Sequence, residues 1–149
     1  MKTIFLSVLL MLIVFLAQAQ STAPEIVHNN FKKMFTKAEK AKFSKDADGT
    51  WEVDFVESQV KTSAKFSATG EWLETEHKIK KSDLPKAITD MLAKDYKGWE
   101  VEEFEKVKMP NKDTFFELEV EKGKENYELK IDASGKVFEK TKAKKEGKE

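Results

Sequence analysis

Apolar residues recur along this chain with two periods, and the switch between them marks the elements. Val27, Phe31, Met34, Phe35 and Ala38 fall at helical spacing and form one stripe. Ahead of them, Thr22-Ala23-Pro24-Glu25 fits a capping box with proline in the first turn. A second stripe, Leu84, Ile88, Met91, Leu92 and Tyr96, lies within SDLPKAITDMLAKDYKG. There Ser82 or Asp83 is the expected cap, Pro85 occupies the first turn, and Gly98 stops the helix.

Elsewhere the period is two. Trp51, Val53 and Phe55 oppose Glu52 and Asp54, and Val60, Thr62, Ala64 and Phe66 oppose Lys61, Ser63 and Lys65. Further on, Phe116, Leu118 and Val120 oppose Glu117 and Glu119, and Tyr127, Leu129 and Ile131 oppose Glu128 and Lys130. Such alternation predicts antiparallel strands with one buried and one wet face. Turn chemistry separates them at Asp48-Gly49, Ala68-Thr69-Gly70, Lys122-Gly123 and Ala133-Ser134-Gly135. In WEVEEFEKVKM the alternation breaks near Glu103 and Phe104, which predicts a bulge.

The pattern returns along the chain. An offset of 61 brings Pro24 onto Pro85, Val27 onto Ile88 and Phe31 onto Leu92. An offset of 65 brings Trp51 onto Phe116, Phe66 onto Ile131, Gly70 onto Gly135 and Leu73 onto Phe138. The expectation is an α+β fold of two tandem helix-plus-antiparallel-strand repeats, about residues 22–80 and 82–140. The helices would pack on one face of an antiparallel β-sheet.

The first twenty residues read differently. One Lys, an apolar run from Ile4 to Ala17 and the small-residue site Ala17-Gln18-Ala19 form the three parts of a secretory signal peptide. The run is shorter than the roughly 20 residues of a membrane span, so no stable span is expected once the leader is cut after Ala19. Removing 19 of the 149 residues leaves 130, enough for one domain with a real core. With no cysteine, packing alone must hold an exported chain together. Lys2 leaves with the leader, so 26 lysines face 27 acids, and arginine is absent. Without a basic excess or arginine forks, nucleic acid is not an expected partner. Residues 141–149, TKAKKEGKE, lack large apolar side chains and read as a flexible tail.

Catalytic chemistry finds little support. A nucleophilic constellation needs a base, and the only histidines are His28, beside the first helical stripe, and His77, among strand charges. Two isolated histidines provide no metal-ligand spacing, and DADGTWE reads as a hairpin turn rather than a calcium loop. The acids of EVEEFE read as a solvated strand face. No catalytic residue, metal or cofactor is assigned. The better lead is aromatic: Trp72 shares a strand phase with Glu74 and Glu76, and Phe115 shares one with Glu117 and Glu119. Both are expected on the open face of the sheet as binding anchors, with Glu52, Asp54, Glu117, Glu119 and Lys130 around them. The bland alternative has Trp72 folding over the sheet edge or closing a secondary core.

A family resemblance gathers these residues. FKKMF, TWEVDF, FSATGEWLETEHKI, SDLPKAI, YKGWEVEEFEKV, FFELEVEKG and YELKIDASGKVFE, in this order, resemble the PepSY-like proteins. These are small exported bacterial proteins, often from Bacteroidetes, that are also similar in fold to β-lactamase-inhibitor proteins. Thr36 departs from the pattern, where many relatives carry a proline. The resemblance spans about Pro24 to Lys140 and implies a binding or inhibitory module of the cell envelope, with no catalytic residues to carry over. Protein or peptide partners are expected. The alternative is a small-ligand carrier whose cavity, between helices and sheet, is lined by Phe31, Phe35, Met91 and Tyr96.

Overall fold

The computed structural model describes residues 22–143. The expected signal peptide, and most of the expected tail, lie outside the described residues. In chain order the elements are α1 (Glu25–Met34), β1 (Glu39–Lys45), β2 (Trp51–Glu57), β3 (Val60–Phe66) and β4 (Trp72–Lys78). A 3-10 turn at Lys81–Asp83 leads into α2 (Lys86–Asp95), followed by β5 (Glu100–Lys108), β6 (Phe115–Lys122), β7 (Glu125–Asp132) and β8 (Val137–Lys142). Thr141 and Lys142, expected in the tail, pair instead with Glu128 and Tyr127.

All eight strands form one sheet in sequence order, each pair of neighbours antiparallel. This overturns the expected pair of tandem helix-plus-strand units with helices packed on the sheet. β4 pairs with β5 from Thr75 with Lys108 to Lys78 with Glu105, so no break divides the sheet where a unit boundary was expected. The helices are a minor component of ten residues each. The repeated corners misled because each glycine answers a local steric need. Gly70 and Gly135 sit at φ +83 and +86. A Cβ on Gly70 would meet Ile26 Cγ1 at 2.8 Å, and one on Gly135 would meet the Ala87 carbonyl oxygen at 2.7 Å. A similar turn chemistry therefore recurs without defining two independent units.

Both helix starts also differ from expectation. Pro24 and Pro85 are themselves the N-caps, in extended geometry and without a side-chain cap bond. Proline drives its predecessor out of the helical region. Leu84 accordingly lies at φ −69, ψ 142, so neither Ser82 nor Asp83 can cap α2, and Thr22 does not cap α1. Asp83 accepts the Lys80 N–H at 3.1 Å instead, which closes the 3-10 turn.

Cross-strand partners share a face of the sheet, so the register sorts the side chains. One face carries Trp51, Val53 and Phe55, then Phe66 and Ala64, and, beyond the centre, Phe116, Leu118, Leu129 and Ile131. Two apolar clusters form there. Val27 and Phe31 join the β2–β3 residues, and Ile88 and Leu92 join those of β6 and β7. Phe66, Ile88, Leu118, Leu129 and Ile131 are among the largest fully buried side chains, each stabilising the fold by about 1.5–3 kcal/mol. Between the clusters this apolar face turns polar, with Thr62, Thr75, His77 and Lys106 across β3, β4 and β5. The bulge expected in β5 lies between Val101 and Phe104. β1 has no sequence signal, since only Phe43 and Ser44 are half-buried along it.

Candidate functional site

The opposite face of the sheet carries the charges. Glu52 and Asp54 stand on β2, Ser63 and Lys65 on β3, Glu74 and Glu76 on β4, Glu105 on β5, Glu117 and Glu119 on β6, and Lys130 on β7. Lys65 Nζ lies 3.0 Å from Glu74, and Lys130 Nζ lies 3.1 Å from Glu117 and 3.9 Å from Glu128. Two apolar residues, Val107 and Phe115, share this face and are almost fully buried between the charged side chains.

The centre of the face is crowded with carboxylates. Glu105 and Glu117 are direct cross-strand neighbours, and Glu76 stands beside Val107 one strand away. Burial, then the charges of Glu105, Glu117 and Glu74, push the Glu76 carboxyl up to about 8. Burial also raises Glu105 to about 7, against the pull of Lys78. Glu117 is raised by burial although Lys130 holds it down. Glu52, at the β2 end, is raised by burial and then by Asp54 and Asp46. The middle of the face therefore takes up protons near neutral pH. EVEEFE thus divides: Glu100, Glu102 and Glu103 are solvated, while Glu105 belongs to this buried row.

Beside the row, a pocket of about 270 Å³ opens between the β5–β6 connection and β8, lined by Phe115, Phe138, Lys130, Glu74, Met109 and Thr114, among others. Phe115 forms its floor and is only 7% exposed, whereas Phe138 on the wall is 50% exposed. Their rings meet edge-to-face at 5.5 Å, and Lys130 Nζ lies 5.9 Å from the Phe115 centroid.

Phe115, Glu117 and Lys130 are thus brought together, with Phe115 buried and not open to solvent. Glu119 is one step along β6, bonded by the Asn126 side chain. Glu52 and Asp54 lie on β2, four strands and roughly 19 Å from β6, and do not join the pocket. Trp72 departs from the expected face. The register slips between Lys65 and Phe66, so Trp72 pairs with Phe66 and packs against the apolar cluster. Its Nε1–H is shared between the Glu74 carbonyl and Thr75 Oγ1, each at 2.8 Å. The same slip between Lys130 and Ile131 pairs Val137 with Ile131 and leaves Phe138 against Phe115. An extra residue at each bulge inverts the phase that alternation assigns. Phe138 is the aromatic that sequence reasoning missed, and the glycine turn before it was the available signal.

The suggested carrier residues fill the core instead of lining a space. Phe31 meets the Phe35, Phe43, Phe55 and Phe66 rings at centroid distances of 5.1–6.4 Å, and Met91 and Tyr96 pack against the second cluster. The His28 ring packs tilted against Phe43 at 4.0 Å between centroids, and His77 Nδ1 lies 3.1 Å from Thr62 Oγ1. Asp48 accepts from the Thr50 N–H and hydroxyl within its turn.

A family model described as "Putative beta-lactamase-inhibitor-like, PepSY-like" matches residues 49–139, more than half of the chain. The chain belongs to the PepSY-like family. The solved structures similar to this PepSY-like chain include a "putative periplasmic" protein from Bacteroides eggerthii. It is 22% identical with a TM-score of 0.75, over 81% of this chain and 89% of its own. A BLIP-like protein from Bacteroides fragilis is 21% identical with a TM-score of 0.72, over 82% of this chain and 87% of its own. A DUF2874 family protein from Bacteroides ovatus is 22% identical with a TM-score of 0.74, over 81% and 88%. At these identities the likeness shows a shared fold. Nothing among curated proteins matches. No helix among the described residues is long and apolar enough to cross a membrane.

Proposed function

We propose that this PepSY-like chain is an exported, non-enzymatic binding module that holds a protein or peptide of the cell envelope against the charged face of its sheet. One observation carries the reading: the pocket in which exposed Phe138 and buried Phe115 stand among Lys130, Glu74 and Glu139. An aromatic anchor set in a concavity with a charged rim is the composition of a binding hot spot. The half-buried carboxyls of Glu76, Glu105 and Glu117 extend that surface, and a lysine or arginine brought beside them by a bound segment would favour their ionised form. Inhibition of an envelope enzyme is one form such binding would take. Export rests on the leader pattern of residues 1–19 and accords with the "putative periplasmic" fold relative from Bacteroides eggerthii.

The test is affinity capture from envelope extract with the unaltered protein, with Phe138→Ser, and with Met34→Ser on α1 as an exposed control. Recovery of a protein with the unaltered chain and with Met34→Ser, reduced at least about tenfold with Phe138→Ser, supports the site. Equal recovery by a correctly folded Phe138→Ser variant removes it.

A further inference from the structure

On the other face of the sheet, the polar strip between the two apolar clusters opens into a groove of about 620 Å³. Its lining includes five lysines, Lys61, Lys78, Lys80, Lys106 and Lys108, against two carboxylates, Glu57 and Asp83. Asp83 is already engaged by the Lys80 N–H and the Ser82 hydroxyl. Lys78 pairs outward with Glu103 and Glu105. The ammonium groups of Lys61, Lys80, Lys106 and Lys108 have no carboxylate within 4.0 Å among the described residues. Lys106 is half-buried all the same.

That gathering is not a consequence of composition, because the whole chain is formally neutral, with 27 basic and 27 acidic residues. The acids concentrate on the charged face, while Lys106 and Lys108 stand on the groove side and Lys61 reaches the rim from β3, where it pairs with Val56. Lys106 and Lys108 stand on alternate positions of β5 and so point to the same face, beside their cross-strand partners His77 and Thr75. Burial, and then the neighbouring Lys108, keep His77 below its usual range. Like charges held together on rigid strands repel one another unless an anion joins them. Val60 and Ile79, also in the lining, supply apolar surface at the same place. The volume lies in the range of small-ligand sites. With no arginine fork in the chain to grip a planar carboxylate, these compact ammonium donors act as point charges of the kind that bind phosphoryl groups.

We infer that this groove is an anion site for a small molecule carrying a phosphoryl group next to an apolar portion, separate from the partner-binding face. The phosphoryl group could belong to a free metabolite or to a lipid headgroup, and the chemistry of capture is the same for both.

Calorimetric titration of the purified chain with inorganic phosphate and with glycerol phosphate tests the free source, and co-flotation with phosphatidylglycerol vesicles, against phosphatidylcholine vesicles, tests the lipid source. Two double variants carry the same change in charge: Lys106→Gln/Lys108→Gln in the groove, and Lys94→Gln/Lys97→Gln at the end of α2. The expected result is saturable binding of at least one phosphoryl probe, weakened about tenfold or more by the groove variant and little by the α2 variant. Lys106→Arg/Lys108→Arg should retain binding. Absence of saturable binding with every probe overturns the inference. So does equal weakening in both glutamine variants, or citrate binding more tightly than phosphate. Because Phe138→Ser leaves this groove untouched, failure of the binding-module reading and failure of the anion site are separable.

Discussion

Replacing Gly135 by alanine adds one methyl group where the fold has no room for it. Gly135 lies at φ +86, and the new Cβ would stand 2.7 Å from the Ala87 carbonyl oxygen and 3.0 Å from its carbon. Those neighbours are helix backbone, so relief requires α2 and the β7–β8 turn to separate. The left-handed conformation costs a non-glycine residue about 1–2 kcal/mol, and overpacking against fixed atoms adds about 1–3 kcal/mol, for a total of about 3 kcal/mol. Gly49→Ala is the natural comparison: its φ is +90, but nothing lies within 4 Å of the new Cβ. It should cost about 1 kcal/mol, the conformational part alone. Gly70→Ala falls between them, because its closest contacts, Ile26 Cγ1 at 2.8 Å and Asn30 Nδ2 at 3.0 Å, are side-chain atoms that can move. Urea unfolding followed by tryptophan fluorescence reads the difference. With a slope of about 1.5 kcal/mol per molar, the midpoint of Gly135→Ala should fall by about 2 M and that of Gly49→Ala by under about 1 M. Equal shifts would show that the approach of α2 to the turn does not set the need for glycine.

Glu76 predicts the pH dependence. Its folded value of about 8 lies above the ordinary 4.5, so its favourable contribution is complete below about pH 4.5 and lost as pH rises through about 8. Stability should fall from pH 5 to pH 9, and Glu76→Gln should flatten that fall, gaining about 2 kcal/mol at pH 9. Parallel thermal-unfolding profiles for the two proteins would refute this. Trp72→Phe removes the shared donor to the Glu74 carbonyl and Thr75 and should cost about 1–2 kcal/mol in the urea assay, whereas an anchor free of the core would cost nothing. Lys140 Nζ lies 4.0 Å from the Tyr127 centroid and 5.5 Å from those of Tyr96 and Trp99. Lys140→Gln should lower stability by about 0.5–1 kcal/mol and Lys140→Arg should not, as measured by the thermal midpoint.

What was legible in the sequence follows from short-range physics. The stripes Val27–Phe31 and Ile88–Leu92 and the alternation around Val53, Leu118 and Leu129 point to the core because spacing alone puts those side chains on one side. The break at Phe104 in β5 is visible for the same reason. Three kinds of feature escape such reasoning. Edge strand β1 buries too little to show a pattern, and its residues from Glu39 to Lys42 are all exposed. A single extra residue in a bulge reverses phase, which moved Trp72 inward and put Phe138 beside Phe115. Continuity of the sheet through β4 and β5 depends on pairing such as that of His77 with Lys106, 29 residues further on, and local repetition cannot reveal it. The candidate site is partly legible on the same terms. Phe115, Glu117 and Lys130 follow from strand phase, but the raised carboxyls of Glu76 and Glu105 arise only when separate strands bring acids together out of water.

The central claim is that partners are taken on the charged face, at the pocket of Phe115 and Phe138. Photo-crosslinking in the native envelope tests it most directly, with a photoreactive aromatic residue placed at Phe138 in one protein and at Met34 in another. Both positions are exposed, at 50% and 45%, so access to solvent does not distinguish them. The account predicts a discrete crosslinked partner from position 138 and none from position 34. Crosslinking from position 34 alone, or none from position 138, would contradict it.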